Sequence, residues 1–371
     1  MNELDKRISS IKNIKEDGNK IAGTFCSFTP LEVLDAANVN PVNLSSYNND
    51  LIKYGESDLP RNLCPLVKSS YGAIISNNNK FAELADLIIG QASCDGKKKM
   101  YELLENYKET YIMQLPQGVD RPYSSSMWLS EVNYLIKYLE NKYGIDITED
   151  KLRQAALLRN KIKSLYNQLF SLSKLDPPPI SGYDTYKIIE DAELNLNLND
   201  RCEKMRKTID SILDTYKSSS SSNNKGKKRI LITGCPIGGV LEKVVKPIES
   251  NDGLVVCFEN CSGIKLYRNL VNADLDNIVK AIADSYLNIG CAVMSPNTKR
   301  MDLLPELIEE FKVDGVVEVV LQTCHSYSIE SKAVKKLVTN LDKPYLMIET
   351  DFSETNIEQI RTRITAFLEM L

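Results

Sequence analysis

The chain has 371 residues, too many for one ordinary domain and enough for two or three. Its composition, 43% hydrophobic and 26% charged, suits a chain that buries real cores, and 46 basic against 50 acidic residues leave a net charge of −4. That balance lacks the basic field that nucleic-acid binding needs, and no run approaches the roughly 18 apolar residues that span a bilayer. Met1-Asn-Glu-Leu-Asp-Lys has no apolar signal core, so the expected setting is cytoplasmic. There, nine cysteines point to metal ligation or catalysis rather than to disulfides.

Apolar runs at Gly72–Ser76, Leu84–Gly90 and Tyr111–Leu115 predict short buried strands, with a helix over Asp95–Tyr107 between the last two. Strands alternating with helices predict a parallel sheet, and residues 1–125 are read as an N-terminal α/β domain. Residues 126–217 read as a helical connecting region. Trp128, Val132, Leu135, Ile136, Leu139 and Tyr143 recur at helical spacing and Gly144 ends that helix. Thr148 caps the next one ahead of Glu149 and Asp150, and its stripe of Leu152, Ala155, Leu158, Ile162, Leu165 and Leu169 runs on towards Pro177–Pro179. Such stripes are core rather than cofactor boxes.

The serine- and lysine-rich stretch 218–228 predicts a flexible linker. Residues 229–371 read as a second α/β domain, with strands at Arg229–Thr233, Leu254–Phe258, Cys291–Met294, Val316–Leu321 and Tyr345–Glu349 and a closing helix over Thr355–Leu371. The expected fold is therefore α/β, two Rossmann-like domains with parallel sheets plus a helical layer connecting them.

Ile232-Thr-Gly-Cys-Pro-Ile-Gly-Gly239 is a strand-to-helix glycine turn, yet it is not G-x-G-x-x-G, and no G-x-x-x-x-G-K-[ST] occurs. No nucleotide is expected to bind this chain. Cys94, Cys235, Cys261 and Cys324 each follow a predicted strand, where open α/β sheets gather functional groups and helix N-termini stabilise thiolates. No C-x-x-C exists, which disfavours a zinc ribbon or a ferredoxin site. Cys257 and Cys202 read as packed core. His325 adjoins Cys324, but neighbours in a chain rarely face each other, so it is a weak catalytic candidate. Asp95-Gly-Lys-Lys-Lys99 places three lysines at a helix N-terminus, against the macrodipole, and calls for local negative charge or for solvation.

Taken together, Gly23-Thr-Phe-Cys-Ser-Phe-Thr-Pro30, Leu59-Pro-Arg-Asn-Leu-Cys-Pro65, Cys94-Asp-Gly-Lys-Lys-Lys-Met100, Asp314-Gly-Val-Val, Gln322-Thr-Cys-His325, Ile348-Glu-Thr-Asp351 and the ending Arg361–Leu371 resemble the 2-hydroxyacyl-CoA dehydratase/benzoyl-CoA reductase superfamily over nearly the whole chain. The resemblance implies three cysteines around a [4Fe–4S] cluster, here Cys64, Cys94 and Cys324. Thr233-Gly-Cys-Pro-Ile-Gly-Gly239, Glu259-Asn-Cys-Ser-Gly263 and Ile289-Gly-Cys291 look like the additional motifs of the double-cubane-cluster branch. That likeness implies a second set of Cys235, Cys261 and Cys291, with Cys26 as a replacement in that set, most readily for Cys235.

What the resemblance implies is an [8Fe–9S] reductase of anaerobic metabolism, a homodimer fed with low-potential electrons by a separate dimeric ATP-hydrolysing [4Fe–4S] activator, acting on a small hard-to-reduce substrate. The alternatives are one subunit of a 2-hydroxyacyl-CoA dehydratase, a lyase working through a ketyl radical on one [4Fe–4S] cluster with Ser27 near the substrate, and a cluster-carrying electron-transfer protein with no substrate site.

Overall fold

A computed structural model describes residues 3–218 and 224–371 of the chain. Among them are eight strands, arranged as two four-stranded, wholly parallel sheets. The first contains β1 (Lys20–Thr24), β2 (Val39–Asn43), β3 (Leu87–Gln91) and β4 (Thr110–Met113) in the order β2-β1-β3-β4. The second contains β5 (Lys228–Gly234), β6 (Gly253–Glu259), β7 (Gly315–Leu321) and β8 (Tyr345–Thr350) in the order β6-β5-β7-β8. Helices connect the strands, as parallel pairing requires. The expected α/β class with two Rossmann-like parallel sheets is what the chain adopts.

The chain divides into two compact units, each assembled from separated stretches of sequence. Met1–Lys161, Leu194–Leu198 and Asn269–Pro296 form the first, which holds the sheet β1–β4. Ile162–Glu193, Asn199–Arg268 and Asn297–Leu371 form the second, which holds β5–β8. Of the linker expected at 218–228, residues 219–223 lie outside the described residues, while Ser218 ends a helix and Lys228 opens β5.

In the first unit, Ile21, Val67, Tyr71, Ile88, Met100 and Leu104 meet in one buried cluster that fastens two helices, Pro65–Ile75 and Asp95–Leu104, to the sheet. The first of these corrects an expectation, because Gly72–Ser76 is not a strand and falls at the end of that helix. Gly72 reads as a breaker, yet it serves packing: a Cβ there would lie 2.1 Å from the carbonyl of Leu51, and one on Gly55 would lie 2.2 Å from the carbonyl of Lys68. Two backbones pass that closely only through glycine. Ten of the helix's eleven residues are buried, so its apolar run carried no period to separate helix from strand.

β2 sits at a sheet edge, where Pro41 withholds no hydrogen bond that an inner strand would need. The helix Ser124–Tyr143 ends on Gly144 in the left-handed region at φ 63°, and the following helix, Glu149–Ser171, has the Thr148 hydroxyl accepting from Lys151 N–H at 3.3 Å.

In the second unit β6 and β7 are buried along their whole length. Cys291–Met294, expected as a strand, is a turn in the first unit, with Met294 N–H donating to the Cys291 carbonyl at 2.9 Å. Four apolar residues between Gly290 and Pro296 are too few to fix a strand by pattern alone.

Candidate functional site

All nine cysteines stand as thiols, with no disulfide among the described residues. Each sheet has one point where strand order reverses, between β1 and β3 in the first and between β5 and β7 in the second. In open α/β sheets that is where ligands bind, beyond the carboxyl ends of the strands. Cys26 lies just past the end of β1 and Cys94 just past β3. Cys235 follows β5 directly, and Cys324 lies just past β7. The two sheets thus place a cysteine pair at the same topological position.

Within the first unit, Cys64 is the N-cap residue of the helix Pro65–Ile75 and Cys94 that of Asp95–Leu104. Unpaired N–H groups at such positions favour a negative sulfur. Burial pushes the Cys94 thiol up, the Lys97 ammonium and backbone N–H pull it back, and the charges of Cys64 and Cys26 add to the rise. Cys64 and Cys26, from two other loops, therefore both lie within electrostatic reach of Cys94.

Lys97 Nζ donates to the carbonyl of Phe25 at 2.9 Å, Lys98 pairs with Asp95 at 3.3 Å, and Lys99 pairs with Glu102. The lysine run at this N-terminus is thus met by local acceptors and by the thiol group. Cys291, half-buried in its turn, belongs to the same unit. Gln117 connects that turn to the Cys94 turn, since its side chain donates to the Ser93 carbonyl and its own carbonyl accepts from Ser295 N–H at 2.8 Å. Ser27 is half-buried beside Cys26.

The second unit holds Cys235, Cys261 and Cys324. Gly234, at φ 107°, turns the chain out of β5 so that Cys235 N–H donates to Val319 at 2.8 Å while Cys235 Sγ accepts from Leu321 N–H at 3.4 Å. Cys324 is the N-cap residue of the helix His325–Asn340 and follows Thr323, itself at φ 58°. His325 is exposed on the first turn of that helix.

Cys261 sits in a tight turn that Asn260 builds: its Oδ1 accepts from Ser262 N–H and its carbonyl from Gly263 N–H, both at 3.0 Å. The Nδ2 of Asn260 is fully buried and has no hydrogen-bond partner. An orphaned amide donor next to a thiol is costly unless an acceptor arrives.

Cys257 is fully buried within β6 and burial drives its thiol up, and Cys202 is buried in the helix Leu198–Ser218, so both belong to the core as expected. Among the described residues no three His, Cys, Asp or Glu side chains converge as ligands of one metal ion. A four-iron cubane does not ask for that, because each thiolate binds its own iron. The donor set (thiols at strand ends and helix N-termini, with an unsatisfied buried N–H donor on the residue preceding one of them) fits a sulfur-ligated cluster.

Residues 26–371 match the family described as 2-hydroxyglutaryl-CoA dehydratase, D-component. The chain is 40% identical to "Putative dehydratase subunit YjiM" of Escherichia coli (strain K12), over 98% of this chain and 94% of that protein. It is 25% identical to the (R)-phenyllactyl-CoA dehydratase beta subunit of Clostridium sporogenes, over 97% of this chain and 94% of that one. With a benzoyl-CoA reductase subunit of Thauera aromatica it shares 24% identity over 96% of this chain and 90% of that protein. From sheet order to whole-chain similarity, the protein belongs to the 2-hydroxyglutaryl-CoA dehydratase D-component family, within the superfamily of 2-hydroxyacyl-CoA dehydratases and benzoyl-CoA reductases.

Proposed function

We propose that the chain is an iron–sulfur enzyme that holds a double-cubane [8Fe–9S] cluster and reduces a small, hard-to-reduce substrate. The observation that carries this reading is the repeated cysteine pair at the two switch points, Cys26 with Cys94 and Cys235 with Cys324, accompanied by Cys64, Cys261 and Cys291. One cubane needs few thiolates, and a chain with a single cluster would leave several of these idle. The proposed ligands are Cys64, Cys94 and Cys324 for one cubane and Cys235, Cys261 and Cys291 for the other. Cys26 enters the second set as a replacement, most readily for Cys235, which like Cys26 follows the first strand of its sheet.

When bound, such a cluster supplies electrons at low potential. The chain's own part is to hold thiolates at helix N-termini, to offset their charge with Lys97, and to offer the Leu321 N–H to the Cys235 sulfur. The chain has no phosphate-cradling glycine loop, so the proposed electron donor is a separate dimeric ATP-hydrolysing [4Fe–4S] protein that docks transiently on a homodimer of this one.

A second reading follows from the family itself: one subunit of a 2-hydroxyacyl-CoA dehydratase with one [4Fe–4S] cluster, in which Ser27 lies near the substrate. Turnover separates the two. Anaerobic protein given ATP, a reductant and an activator should reduce acetylene without a partner subunit. Dehydration of an (R)-2-hydroxyacyl-CoA that requires a second subunit, with no acetylene reduction, would establish the dehydratase instead.

A further inference from the structure

Below the three cysteine-bearing strand ends of the second unit lies a closed group of buried charges. Arg300, on the helix Thr298–Glu310, is fully buried and spends its fork on four acceptors. Its Nε donates to Glu259 at 3.1 Å, its Nη2 to Thr233 Oγ1 at 2.7 Å and to Glu318 at 3.0 Å, and its Nη1 to Glu330. Lys265, also buried, pairs with Glu259 at 3.1 Å and donates to the Tyr327 hydroxyl at 3.1 Å, while the Arg300 guanidinium stacks 4.9 Å from the Tyr327 ring. Tyr345 donates to Glu318 at 2.5 Å, and Asn297 donates to Glu330 at 2.8 Å.

The members of this group stand beside the cysteines in sequence. Thr233 is the next-to-last residue of β5, two before Cys235, and Glu259 ends β6 two residues before Cys261. Tyr327 follows Cys324 by three residues on the helix His325–Asn340, and Glu318 is the central residue of β7. The Cys235 and Cys261 turns are therefore each tied to one guanidinium by the residue two before the thiol, and the helix that Cys324 caps meets the same guanidinium through the Tyr327 ring and Glu330. An arginine fork with four partners has one geometry, and an apolar core would allow several.

We propose that Arg300 is a positioning residue for the thiols of the second unit, holding the Cys235, Cys261 and Cys324 turns at one mutual spacing and placing its charge behind them. The proposal rests on the cluster reading above only for its electronic half; the positioning half concerns the thiols themselves. Lysine in its place keeps the charge and loses the fork. Methionine loses both and leaves three carboxylates facing one ammonium.

The test uses the full chain in two states. In cluster-free protein, mass-spectrometric alkylation rates should rise roughly tenfold at Cys235, Cys261 and Cys324 in both Arg300→Lys and Arg300→Met, as local opening exposes them. Cys26, Cys64 and Cys94 should label as in the wild type. In protein loaded with iron and sulfide, Glu330→Gln, which removes a negative charge at the solvent-side end of the group, should raise the cluster's midpoint potential, and Arg300→Met should lower it or lose iron.

If both Arg300 variants melt at lower temperature while alkylation, iron content and potential stay as in the wild type, Arg300 is merely structural and the proposal is wrong. Should Arg300→Met fail to fold, Arg300→Lys and Glu330→Gln decide. Wild-type protein that takes up no iron would overturn the cluster reading, and the alkylation pattern would still decide the positioning of the thiols.

Discussion

Lys97 reaches back from the first turn of the helix Asp95–Leu104 to the carbonyl of Phe25, 2.9 Å away, and so ties the Cys94 turn to the residue preceding Cys26. Its ammonium also opposes the rise that burial imposes on the Cys94 thiol. Replacing Lys97 by Met should move the pH profile of Cys94 alkylation in cluster-free protein to higher pH, because the buried thiolate loses its nearest cation. Lys97→Arg should restore the profile in large part. A Met variant with an unchanged profile would show that the lysine does not act on the thiol.

Glu249 is held by the N–H groups of Gly182 at 2.7 Å, Val255 at 3.2 Å and Tyr183 at 3.3 Å, yet burial outweighs them and its carboxyl titrates above the ordinary 4.5. A raised folded-state value means that this residue's contribution to stability is complete below the unfolded value and is lost as pH rises through the folded one. Glu249→Gln keeps one acceptor oxygen for the Gly182 and Val255 N–H groups, gives up the longer contact from Tyr183 N–H, and does not titrate. The stability of the wild type relative to this variant should therefore fall as pH rises above the ordinary 4.5, read from urea midpoints. A difference that grows with pH would contradict the assignment.

Gly234 combines φ 107° with a 2.2 Å approach of a would-be Cβ to the Val319 carbonyl. Gly234→Ala should cost more than the roughly 1–2 kcal/mol that a left-handed conformation costs alone. It should also weaken the Leu321 N–H contact to Cys235, because the turn that aims the sulfur must shift. Urea denaturation measures the first effect and Cys235 alkylation the second. An alanine variant of wild-type stability would mean that the turn relaxes freely.

Cys324 and Cys257 offer a contrast within one unit. Cys324→Ser should lower the iron content of anaerobically purified protein, whereas Cys257→Ala should cost only packing, on the order of 1 kcal/mol, and leave iron unchanged. Equal iron in the two variants would remove Cys324 from the ligand set.

Much of this fold was legible. β3 to β8 each coincide with an apolar run. β3, β6 and β7 are buried along their whole length and read as continuous apolar segments, while the edge strands β4 and β8 keep enough Tyr, Ile, Leu and Met to show although they are only partly buried. β1 and β2 were not legible. Lys20–Thr24 contains Ala and Gly, and Val39–Asn43 alternates with Asn and Pro, so neither carries a strand signal of its own.

The cysteines after strands were visible one at a time. Their equivalence in the two units was not, since it resides in strand order and no side chain repeats it. Arg300 is not legible as a core residue, because it lies in a helix rich in charged residues, Thr298–Glu310. The signal that could have found it is Glu318, a carboxylate in the middle of the otherwise apolar Val316–Leu321. A charge inside a buried strand demands a buried partner.

The most direct measurement is iron and acid-labile sulfide per chain on protein purified without oxygen. The double-cubane reading predicts about eight irons, the sum of two four-iron cubanes. About four would contradict it and favour the single-cluster dehydratase subunit, and none would contradict the cluster altogether.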